Sequence, residues 1–398
     1  MKIYYLINSL KKGGAERQIL TLQNEFGGEI ILLENLIEYQ IDESVKVMPL
    51  SETKAYTFFE KFVRYFKNVF KLSQIIKSNK CKNEIVVISF LEQSNILNII
   101  CSIFSGHKTI ISSRINLKIQ YKGYPFFLFI LKHFYRMADL VTANSKGLVE
   151  LIIHDFVIVK SKVNYVPNAY NVELIKSKSS EVFDDLSLED LIINHPFLLS
   201  VNRLEEQKLI DKQIIIFSIL KAKFKGIKLV IAGEGPLKND LVRLAKEKGN
   251  QVYDYKSEKA MSDKFDIYFI GLTNNPFRLY RYTKAFLLTS RYESMPNSLC
   301  EAMICNAPVF AADCQFGPRE ILRTGEPQYY QQLDDINASE LLGNLLPIPD
   351  LDYTEWIKSL SDHFSFLNPF LESKQYTDRI EDFDTTSAMK TWKSILNN

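Results

Sequence analysis

Short apolar runs alternate with longer amphipathic stretches along most of the chain. Apolar runs rich in Val, Ile and Leu are typical of buried parallel strands, and apolar residues three or four apart are typical of helices. The strands predicted in the first half are Ile3–Ile7, Glu29–Leu33, Glu84–Phe90, Thr109–Ser112, Leu140–Ala143 and Val163–Val166. Those predicted in the second half are Phe197–Val201, Lys228–Ala232, Ile267–Ile270, Ala285–Leu288 and Pro308–Ala311. This alternation predicts an α/β fold with two doubly wound, Rossmann-like parallel sheets.

A polar stretch, Tyr170–His195, separates the two series, and it is predicted to be a linker followed by a short helix. We therefore expect an N-terminal Rossmann-like domain over residues 1–172 and a C-terminal one over residues 190–375. A last helix at about 380–397 is expected to pack back on the first domain. Because ligands bind at the carboxyl ends of parallel strands, two sheets facing each other are expected to form a cleft.

The composition, with 46% hydrophobic and 24% charged residues among 398, is that of a globular protein. The net charge of +2 divides into +9 over residues 1–180 and −7 over residues 181–398. This asymmetry indicates two domains with different partners, although drift in surface composition gives the same pattern. Because the basic excess is confined to one half and no recognition motif occurs, no nucleic-acid partner is expected.

Apolar runs and cysteines indicate the compartment. No apolar run approaches the roughly 18 residues of a membrane span, and the residues after Met1 lack a signal-peptide cleavage site. Five cysteines, at positions 81, 101, 300, 305 and 314, show no ligand spacing, and their odd number argues against a disulfide framework. We therefore expect a protein of the reducing cytoplasm.

Two carboxylates eight residues apart, Glu293 and Glu301, mark the most informative segment. Pro296-Asn297 predicts the start of a helix, so one carboxylate lies in a loop and the other about two turns along that helix. Carboxylates accept hydrogen bonds from hydroxyl groups, and the free N–H groups of a helix N-terminus bind phosphate. A nucleotide-sugar, with hydroxyl groups at both ends and an anion between them, is a ligand of this kind.

Four other loops follow predicted strands: Asn8–Gly14, Asn202–Lys208, Gly233–Pro236 and Gly271–Asn275. Gly13-Gly14 allows an anion to approach a helix start closely, although a purely structural turn has the same sequence. Arg203 and Lys208 can neutralise a diphosphate and stabilise it as a leaving group, with two ordinary surface charges as the alternative.

The order of these elements, a Gly-Gly loop, an Arg/Lys loop, a Gly-x-Gly-Pro turn and a Glu-x7-Glu segment, resembles glycosyltransferase family 4, the retaining enzymes of GT-B fold. The resemblance is strong across residues 197–322, moderate across 1–170 and faint beyond about 330. Within the family the chain looks closest to bacterial enzymes that extend lipid-linked glycans for capsule, O-antigen or protein glycosylation. The phrases pointing that way are Gly13–Arg17, Ala138-Asp139-Leu140, Asn144-Ser145-Lys146-Gly147, Pro167-Asn168-Ala169 and Gly271–Pro276.

The resemblance implies roles for individual residues. Arg203 and Lys208 would bind the donor diphosphate. Glu293 would contact the donor sugar, and Glu301 would hold the ribose hydroxyls. The remaining donor-side residues would be Met295, Pro296, Asn297, Ser298, Leu299, Gly233 and Gly271, and the loop facing the acceptor would contain Gly13, Gly14 and Arg17.

The sequence departs from the family pattern at three positions. Asn202 and Ser294 stand where Gly is common, and Arg114 stands where many members have His near the reacting sugar. Arginine stays protonated and cannot act as a general base, so Arg114 would instead neutralise a phosphate of donor or acceptor. Retaining enzymes of this fold are thought to react on one face, with the leaving phosphate receiving the acceptor proton, so no protein base is required.

No metal or other cofactor is expected. No Asp-x-Asp occurs in a strand-end loop, where carboxylates would hold a divalent cation. Asp184-Asp185 and Asp334-Asp335 lie in polar stretches and are predicted to be solvated. Arg203 and Lys208 would supply the charge neutralisation that Mg²⁺ provides elsewhere.

Two aromatic segments bear on membrane contact. Phe58–Lys77 predicts an amphipathic helix on which Lys61, Arg64, Lys67 and Lys71 share one face. Such a helix can lie on an anionic membrane, or it can pack on the sheet with its basic face in water. Tyr121–Tyr135 contains Phe126, Phe127, Phe129 and Phe134, and core packing is predicted for it.

The resemblance therefore implies a retaining hexosyltransferase. It would move an N-acetylhexosamine or hexose from a nucleotide-diphosphate sugar, expected to be UDP-linked, to a polyprenyl-diphosphate-linked glycan. It would act as a peripheral protein on the inner face of the bacterial cytoplasmic membrane. The alternatives are a GT-B sugar epimerase or phosphorylase, and a non-catalytic scaffold that binds nucleotide-sugars, against which the intact Arg203, Lys208, Glu293 and Glu301 argue.

Overall fold

The computed structural model describes residues 1–11, 13–52, 57–80, 84–258, 260–323, 341–365 and 376–397. The side chain of Lys61, and residues Cys81, Asp334 and Asp335, lie outside the described residues. The chain divides into two compact units. Unit 1 comprises Met1–Ala169 with Ala388–Asn398, and unit 2 comprises Tyr170–Ser387.

The described part of unit 1 contains seven strands that pair in parallel in the order β3-β2-β1-β4-β5-β6-β7. They are β1 Lys2–Ile7, β2 Glu29–Leu32, β3 Val47–Pro49, β4 Ile85–Phe90, β5 Lys108–Ser113, β6 Leu140–Ala143 and β7 Val163–Tyr165. The helices are α1 Gly14–Phe26, α2 Phe58–Lys80, α3 Glu92–Ser105, α4 Leu117–Gln120, α5 Pro125–Met137 and α6 Lys146–Asp155.

The described part of unit 2 also has seven parallel strands, in the order β10-β11-β9-β8-β12-β13-β14. They are β8 Phe197–Val201, β9 Lys228–Ala232, β10 Val252–Asp254, β11 Ile267–Gly271, β12 Ala285–Leu288, β13 Val309–Ala312 and β14 Asn344–Leu346. The helices, all but α16 wholly in this unit, are α7 Val172–Ser180, α8 Leu186–Asn194, α9 Ile210–Lys223, α10 Lys238–Glu247, α11 Pro276–Tyr282, α12 Asn297–Ile304, α13 Pro318–Leu322, α14 Thr354–Ser365, α15 Thr377–Glu381 and α16 Thr385–Asn397.

Both sheets are buried on their two faces, which explains their continuous apolar strands. In β1, Tyr5 and Ile7 pack on one face with Ile19 of α1, whereas Tyr4 and Leu6 pack on the other. Trp392 of α16 joins the first of these cores, so the end of the chain is part of unit 1. The predicted α/β class with two Rossmann-like parallel sheets is confirmed, as are the strands predicted from the apolar runs.

The segment Tyr170–His195 is not a linker with a single helix, and that prediction was wrong. It forms α7 and α8, which are preceded by the capping residues Asn171 and Asp185. The side chains of these caps accept hydrogen bonds from N–H groups of the first turn. Val172, Ile175, Leu188 and Leu191 are buried in the core of unit 2. The polar character of the segment belongs to the exposed faces and caps of two packed helices.

Three strands escaped prediction: β3, β10 and β14. Each has only three residues, which is too short for an apolar pattern to stand out. All three lie at or next to a sheet end in the strand order, where one side of the strand lacks a full partner.

The prediction of core packing for Tyr121–Tyr135 was wrong for part of its aromatic residues. Leu131 and Tyr135 of α5 are buried. Phe126 and Phe129 remain exposed over 75% and 68% of their surface. The helix is amphipathic in the ordinary sense, but its solvent-facing stripe carries aromatic side chains where polar ones are usual.

The loops after β8 and β9 are in direct backbone contact. Leu204 N–H donates to the carbonyl of Glu234 at 3.0 Å, and Leu237 N–H donates to the carbonyl of Leu204 at 3.1 Å. A Cβ added to Gly233 would lie 1.9 Å from the Asn202 carbonyl oxygen, and one added to Gly235 would lie 2.4 Å from that of Leu204. Glycine is therefore required where these two loops cross.

We expect Gly235→Ala to destabilise unit 2 by about 1–3 kcal/mol, because the new methyl group forces two backbone segments apart. Denaturant unfolding measures the change. The matched control is Gly123→Ala, where an added Cβ meets nothing within 4 Å and which should be nearly neutral. Equal stability of the two variants would contradict the close crossing of the loops.

Candidate active site

The connections of unit 2 reverse direction between β8 and β12, which are neighbours in the sheet but far apart in sequence. From β8 the chain passes first to β9 and later returns to β12 on the other side. A reversal of this kind, at the carboxyl edge of a parallel sheet, is where α/β proteins commonly bind ligands. The loop after β8 contains Arg203 and Lys208, and the loop after β12 contains Glu293.

Hydrogen bonds hold these two loops together. Thr289 Oγ1 donates to the carbonyl of Lys208 at 2.7 Å, and Arg291 N–H donates to that of Gln207 at 2.9 Å. The Gln207 amide donates in turn to the carbonyl of Tyr292 at 2.5 Å. As a result Lys208 Nζ and Glu293 Oε1 lie 2.5 Å apart, with 15% and 10% of the side chains exposed. The predicted sugar-binding acid and one predicted diphosphate ligand form one ion pair.

Arg203 differs from Lys208 in its surroundings. Its side chain is 72% exposed and contacts Glu205 at 3.4 Å. An exposed pair of this kind contributes little to stability, so the guanidinium can exchange Glu205 for a phosphate at small cost. Of the two predicted diphosphate ligands, Lys208 is therefore fixed against Glu293, whereas Arg203 lies at the surface.

The segment Met295–Leu299 leads into α12, which begins at Asn297 as predicted. Met295 and Leu299 are buried, whereas Asn297 and Ser298 are partly exposed. Tyr170 OH donates to Asn297 Oδ1 at 2.6 Å and so fixes the first residue of the helix. Glu301 lies within α12 and is buried. Glu301 thus lies in the short helix whose first residue is held by Tyr170.

The connections of unit 1 reverse direction between β1 and β4. The loop after β1 contains Gly13 and Gly14, where α1 begins as predicted. The Tyr39 hydroxyl holds this loop, because it donates to the Gly13 carbonyl at 2.9 Å and accepts from the Gly13 N–H at 3.2 Å. The loop is tied to the start of α3 by Ser94 Oγ, which donates to Asn8 Oδ1 at 2.8 Å. Arg17 lies in the first turn of α1.

Arg114 lies directly after β5 and is held in one orientation. Its Nε donates to Ser112 Oγ at 2.9 Å, and its Nη1 donates to Asn168 Oδ1 at 2.5 Å. The guanidinium carbon lies 4.5 Å from the centre of the Phe90 ring. These contacts place a permanent cation at the carboxyl edge of the sheet.

Two of the short phrases on which the resemblance rests in unit 1 meet at Asn168. Its side-chain oxygen also accepts from Asn144 Nδ2 at 3.5 Å. The backbone N–H of the next residue, Ala169, donates to Gln18 Oε1 at 2.7 Å, and Gln18 Nε2 donates to the Ala169 carbonyl at 3.0 Å. Segments far apart in sequence thus converge beside Arg114.

The basic residues predicted on one face of α2 have different environments. Arg64 forms an ion pair with Glu34 at 2.6 Å, and Lys71 Nζ donates to the carbonyls of Pro49 and Leu50. Lys67 is exposed. In the described part of the chain, then, α2 presents fewer available cations than its sequence indicates.

Among the described residues, no three His, Cys, Asp or Glu side chains lie together in a way that could hold a metal ion. No described helix is both long enough and apolar enough to cross a membrane.

Known proteins resemble this chain in sequence and in fold. Residues 189–338 match the family model of glycosyl transferases group 1. The chain is 28% identical over 348 residues to a Campylobacter jejuni protein, covering 85% of this chain and 87% of the relative. That relative is named N-acetylgalactosamine-N,N'-diacetylbacillosaminyl-diphospho-undecaprenol 4-alpha-N-acetylgalactosaminyltransferase. The protein is a glycosyltransferase.

Another relative is also named a glycosyltransferase, and a solved structure has the same fold. An uncharacterized glycosyltransferase of Methanocaldococcus jannaschii is 26% identical over 366 residues, covering 84% of this chain and 83% of the relative. The crystal structure of Anabaena HepE in complex with UDP and glucose superposes with a TM-score of 0.74 at 16% identity, over the whole of both chains. This likeness confirms the GT-B fold of the glycosyltransferase.

Sequence reasoning missed a buried polar group in unit 1, the carboxyl of Glu92. It lies at the start of α3, directly after β4, and receives a hydrogen bond of 3.3 Å from Tyr135 OH. Asn95 Nδ2 links the same hydroxyl to the carbonyl of Ser112, two residues before Arg114. An acid two residues after a buried strand was the available signal. Glu92 therefore belongs to the network that supports the Arg114 loop.

Burial raises the pKa of the Glu92 carboxyl to about 7, because the charged form loses its hydration. Hydrogen bonds from its own N–H and from Tyr135 oppose this shift without cancelling it. Tyr121 also faces the carboxyl, and the pKa of its hydroxyl is raised, first by burial and second by Glu92. In the folded glycosyltransferase Glu92 is protonated at mildly acidic pH.

We expect this titration to affect stability. The folded state binds the proton more tightly than the unfolded chain, whose ordinary value is 4.5, so stability falls as the pH rises from 4.5 through 7. The loss is about 3 kcal/mol, and Glu92→Gln should remove it. Thermal unfolding between pH 4.5 and 8 measures the effect, with exposed Glu43→Gln as control. Parallel curves for wild type and Glu92→Gln would contradict a buried neutral carboxyl.

Proposed function

We propose that this glycosyltransferase is a retaining enzyme of family 4. It transfers a hexose or N-acetylhexosamine from a UDP-linked donor to a polyprenyl-diphosphate-linked glycan. The observation that carries the proposal is the contact between Lys208 and Glu293 at the point where the connections of the second sheet reverse. A cation suited to a diphosphate and a carboxylate suited to sugar hydroxyls are held side by side there, next to the start of α12.

The relatives support the substrate classes. Two Campylobacter jejuni relatives, 28% and 25% identical, are named as N-acetylgalactosaminyltransferases acting on undecaprenol-linked diphospho-glycans. The Anabaena structure holds UDP and glucose in the same fold. These names favour a UDP-sugar as donor and a lipid-linked diphosphate as acceptor.

The proposed reaction needs no protein base. The bond between the anomeric carbon and the donor diphosphate oxygen breaks, and an acceptor hydroxyl oxygen bonds to that carbon on the same face. The hydroxyl proton passes to the departing diphosphate. Lys208 and Arg203 stabilise the negative charge that develops on this leaving group. Glu293 accepts hydrogen bonds from the sugar, and its pairing with Lys208 couples the position of the sugar to that of the phosphates.

The other assigned residues complete the proposed site. Glu301 holds the ribose hydroxyls, and Met295, Pro296, Asn297, Ser298 and Leu299 lie along the sugar and phosphates, with Gly233 and Gly271 in the loops nearby. On the acceptor side, Gly13, Gly14 and Arg17 form an anion-binding helix start, and Arg114 neutralises a phosphate. No metal ion takes part in the proposed reaction.

The proposed location is the inner face of the bacterial cytoplasmic membrane, where the protein is peripheral. A polyprenyl-linked acceptor lies in the bilayer, so the acceptor-binding domain, assigned to residues 1–172, must approach its surface. The donor-binding domain, assigned to residues 190–375, must admit a soluble nucleotide-sugar. The net positive charge of residues 1–180 is suited to anionic lipid headgroups.

We expect Glu293→Gln and Lys208→Ala to lower transfer at least about a hundredfold, because each removes a charge that acts on the transition state. Transfer of labelled sugar to a polyprenyl-diphosphate glycan measures the loss, and melting temperatures verify the fold. Asp350→Asn is the matched control, since it breaks an exposed ion pair with Arg291, two residues from Glu293, and should retain activity. Full activity of both site variants would disprove the assignment.

Ligand binding separates the roles of the two acids. UDP and UDP-sugars should raise the melting temperature of the wild type by a few degrees, whereas ADP- and GDP-sugars should not. Glu301→Gln should abolish stabilisation by UDP itself, because the ribose contact is lost. Glu293→Gln should keep the response to UDP and lose the additional response to the sugar.

The same panel tests the alternatives. No stabilisation by any nucleotide-sugar would contradict the donor assignment. Conversion of a sugar without acceptor would show an epimerase or phosphorylase, and binding without turnover under all acceptor conditions would show a scaffold.

A further inference from the structure

Tyr170 lies outside the loops of the candidate site, yet it holds the first residue of α12. Its side chain is 2% exposed, and its hydroxyl donates to Asn297 Oδ1 at 2.6 Å. Tyr170 directly precedes Asn171, the cap of α7, and belongs to the buried core of unit 2. This contact therefore joins the core of the unit to the helix start that the proposed reaction uses for the donor.

The backbone of Tyr170 is fixed on both sides. Its N–H donates to the carbonyl of Phe383 at 3.0 Å, and its own carbonyl accepts from the Thr385 N–H at 3.0 Å. The preceding residue, Ala169, is held by its two hydrogen bonds with Gln18. A tyrosine side chain turns about only two torsions, so an anchored backbone and a buried ring leave its hydroxyl little freedom.

A second partner sets the direction of the hydroxyl hydrogen. The Cys300 thiol, three residues along α12 from Asn297, is hydrogen-bonded to Tyr170, and burial raises the pKa of this thiol to about 12. The thiol therefore keeps its hydrogen and can donate it to the tyrosine oxygen, which leaves the tyrosine hydrogen for Asn297. The oxygen of the Asn297 amide is thus directed to Tyr170, and its NH2 group lies on the side away from Tyr170.

We propose that Tyr170 is a positioning residue for the donor, because it orients the Asn297 amide so that the NH2 group, and not the oxygen, meets the diphosphate. Phosphate oxygens only accept hydrogen bonds, so an amide NH2 group attracts them and an amide oxygen repels them. The first turn of α12, Asn297 to Cys300, contains no acid that would oppose the diphosphate. This inference rests on the proposed function, which brings the donor to the start of α12.

A second buried tyrosine beside α12 allows a matched comparison. Tyr376 is 7% exposed in the same core, and its hydroxyl donates to the carbonyl of Ala307 at 3.4 Å, just beyond the other end of the helix. Replacing either tyrosine with Phe removes a buried hydroxyl next to α12 and keeps the ring. Only Tyr170→Phe releases the Asn297 amide, so the pair separates orientation of the amide from packing.

The test is calorimetric binding of UDP to the full chain. Tyr170→Phe should bind UDP about fivefold more weakly than the wild type, because the released amide presents its oxygen to the phosphates part of the time. The affinity for uridine, which has no phosphate, should stay nearly unchanged. Tyr376→Phe should bind UDP as the wild type does, and the two Phe variants should have similar melting temperatures.

Substitutions of Asn297 show whether Tyr170 acts through it. Asn297→Ala should weaken UDP binding at least about tenfold, and adding Tyr170→Phe to it should cause little further loss. Asn297→Asp keeps an oxygen for Tyr170 but replaces the NH2 group with a second, negatively charged oxygen. This variant should therefore bind UDP more weakly than Asn297→Ala does.

Four results would overturn the inference. One is an unchanged affinity of Tyr170→Phe for UDP, and another is binding of UDP by Asn297→Asp as tight as that of the wild type. Equal losses for UDP and uridine would show that Tyr170 fixes the whole helix, including Glu301, and not the amide. Losses that add in the double variant Tyr170→Phe/Asn297→Ala would show that Tyr170 acts independently of Asn297.

Failure of this inference and failure of the proposed function give different results. If only the role of Tyr170 is wrong, the wild type binds UDP and transfers sugar, and Tyr170→Phe does both equally well. If the proposed function is wrong, the wild type itself transfers no sugar from a UDP-linked donor, and a wild type that does not bind UDP would overturn both. If both hold, transfer by Tyr170→Phe at low donor concentration falls together with its affinity for UDP.

Discussion

The parallel direction of the strands is the constraint on which the rest of the structure depends. Every strand of a sheet ends at the same edge, so the loops that follow the strands, where α/β proteins bind ligands, lie together at that edge. At β8 and β12 the connections diverge, and the ion pair of Lys208 with Glu293 lies where they do. Hydrogen bonds from Thr289 and Gln207 fix this pair through the backbone. In the proposed reaction these charges are oriented before the donor binds, which is how electrostatic stabilisation of a transition state becomes effective.

Features that depend on residues close together in the chain could be predicted from the sequence. The strands, the start of α12 at Asn297 and the position of Glu301 within it follow from apolar runs and a Pro-Asn helix start. The approach of Lys208 to Glu293 depends on hydrogen bonds between residues some 85 positions apart, to which no local pattern refers. The same reason explains why Tyr170–His195 was misjudged: the core that buries Val172 and Leu188 consists of residues elsewhere in the chain.

Unit 1 replaces an expected histidine with a cation that is rigidly held. Arg114 is fixed by Ser112, Asn168 and the ring of Phe90, and such a guanidinium can bind an anion but cannot remove a proton. This is chemically consistent with transfer in which the leaving diphosphate takes the acceptor proton. Beneath it, Glu92 is protonated at mildly acidic pH and supports the loop as a neutral hydrogen-bonding group. At mildly acidic pH the positive charge of Arg114 is therefore not cancelled by the acid buried nearby.

Helix α5 shows why an aromatic pattern alone could not be interpreted. Aromatic residues occur on both of its sides, so periodicity does not distinguish the buried Tyr135 from the exposed Phe129. Only the packed structure shows that Tyr135 reaches Glu92 while Phe126 and Phe129 face outward.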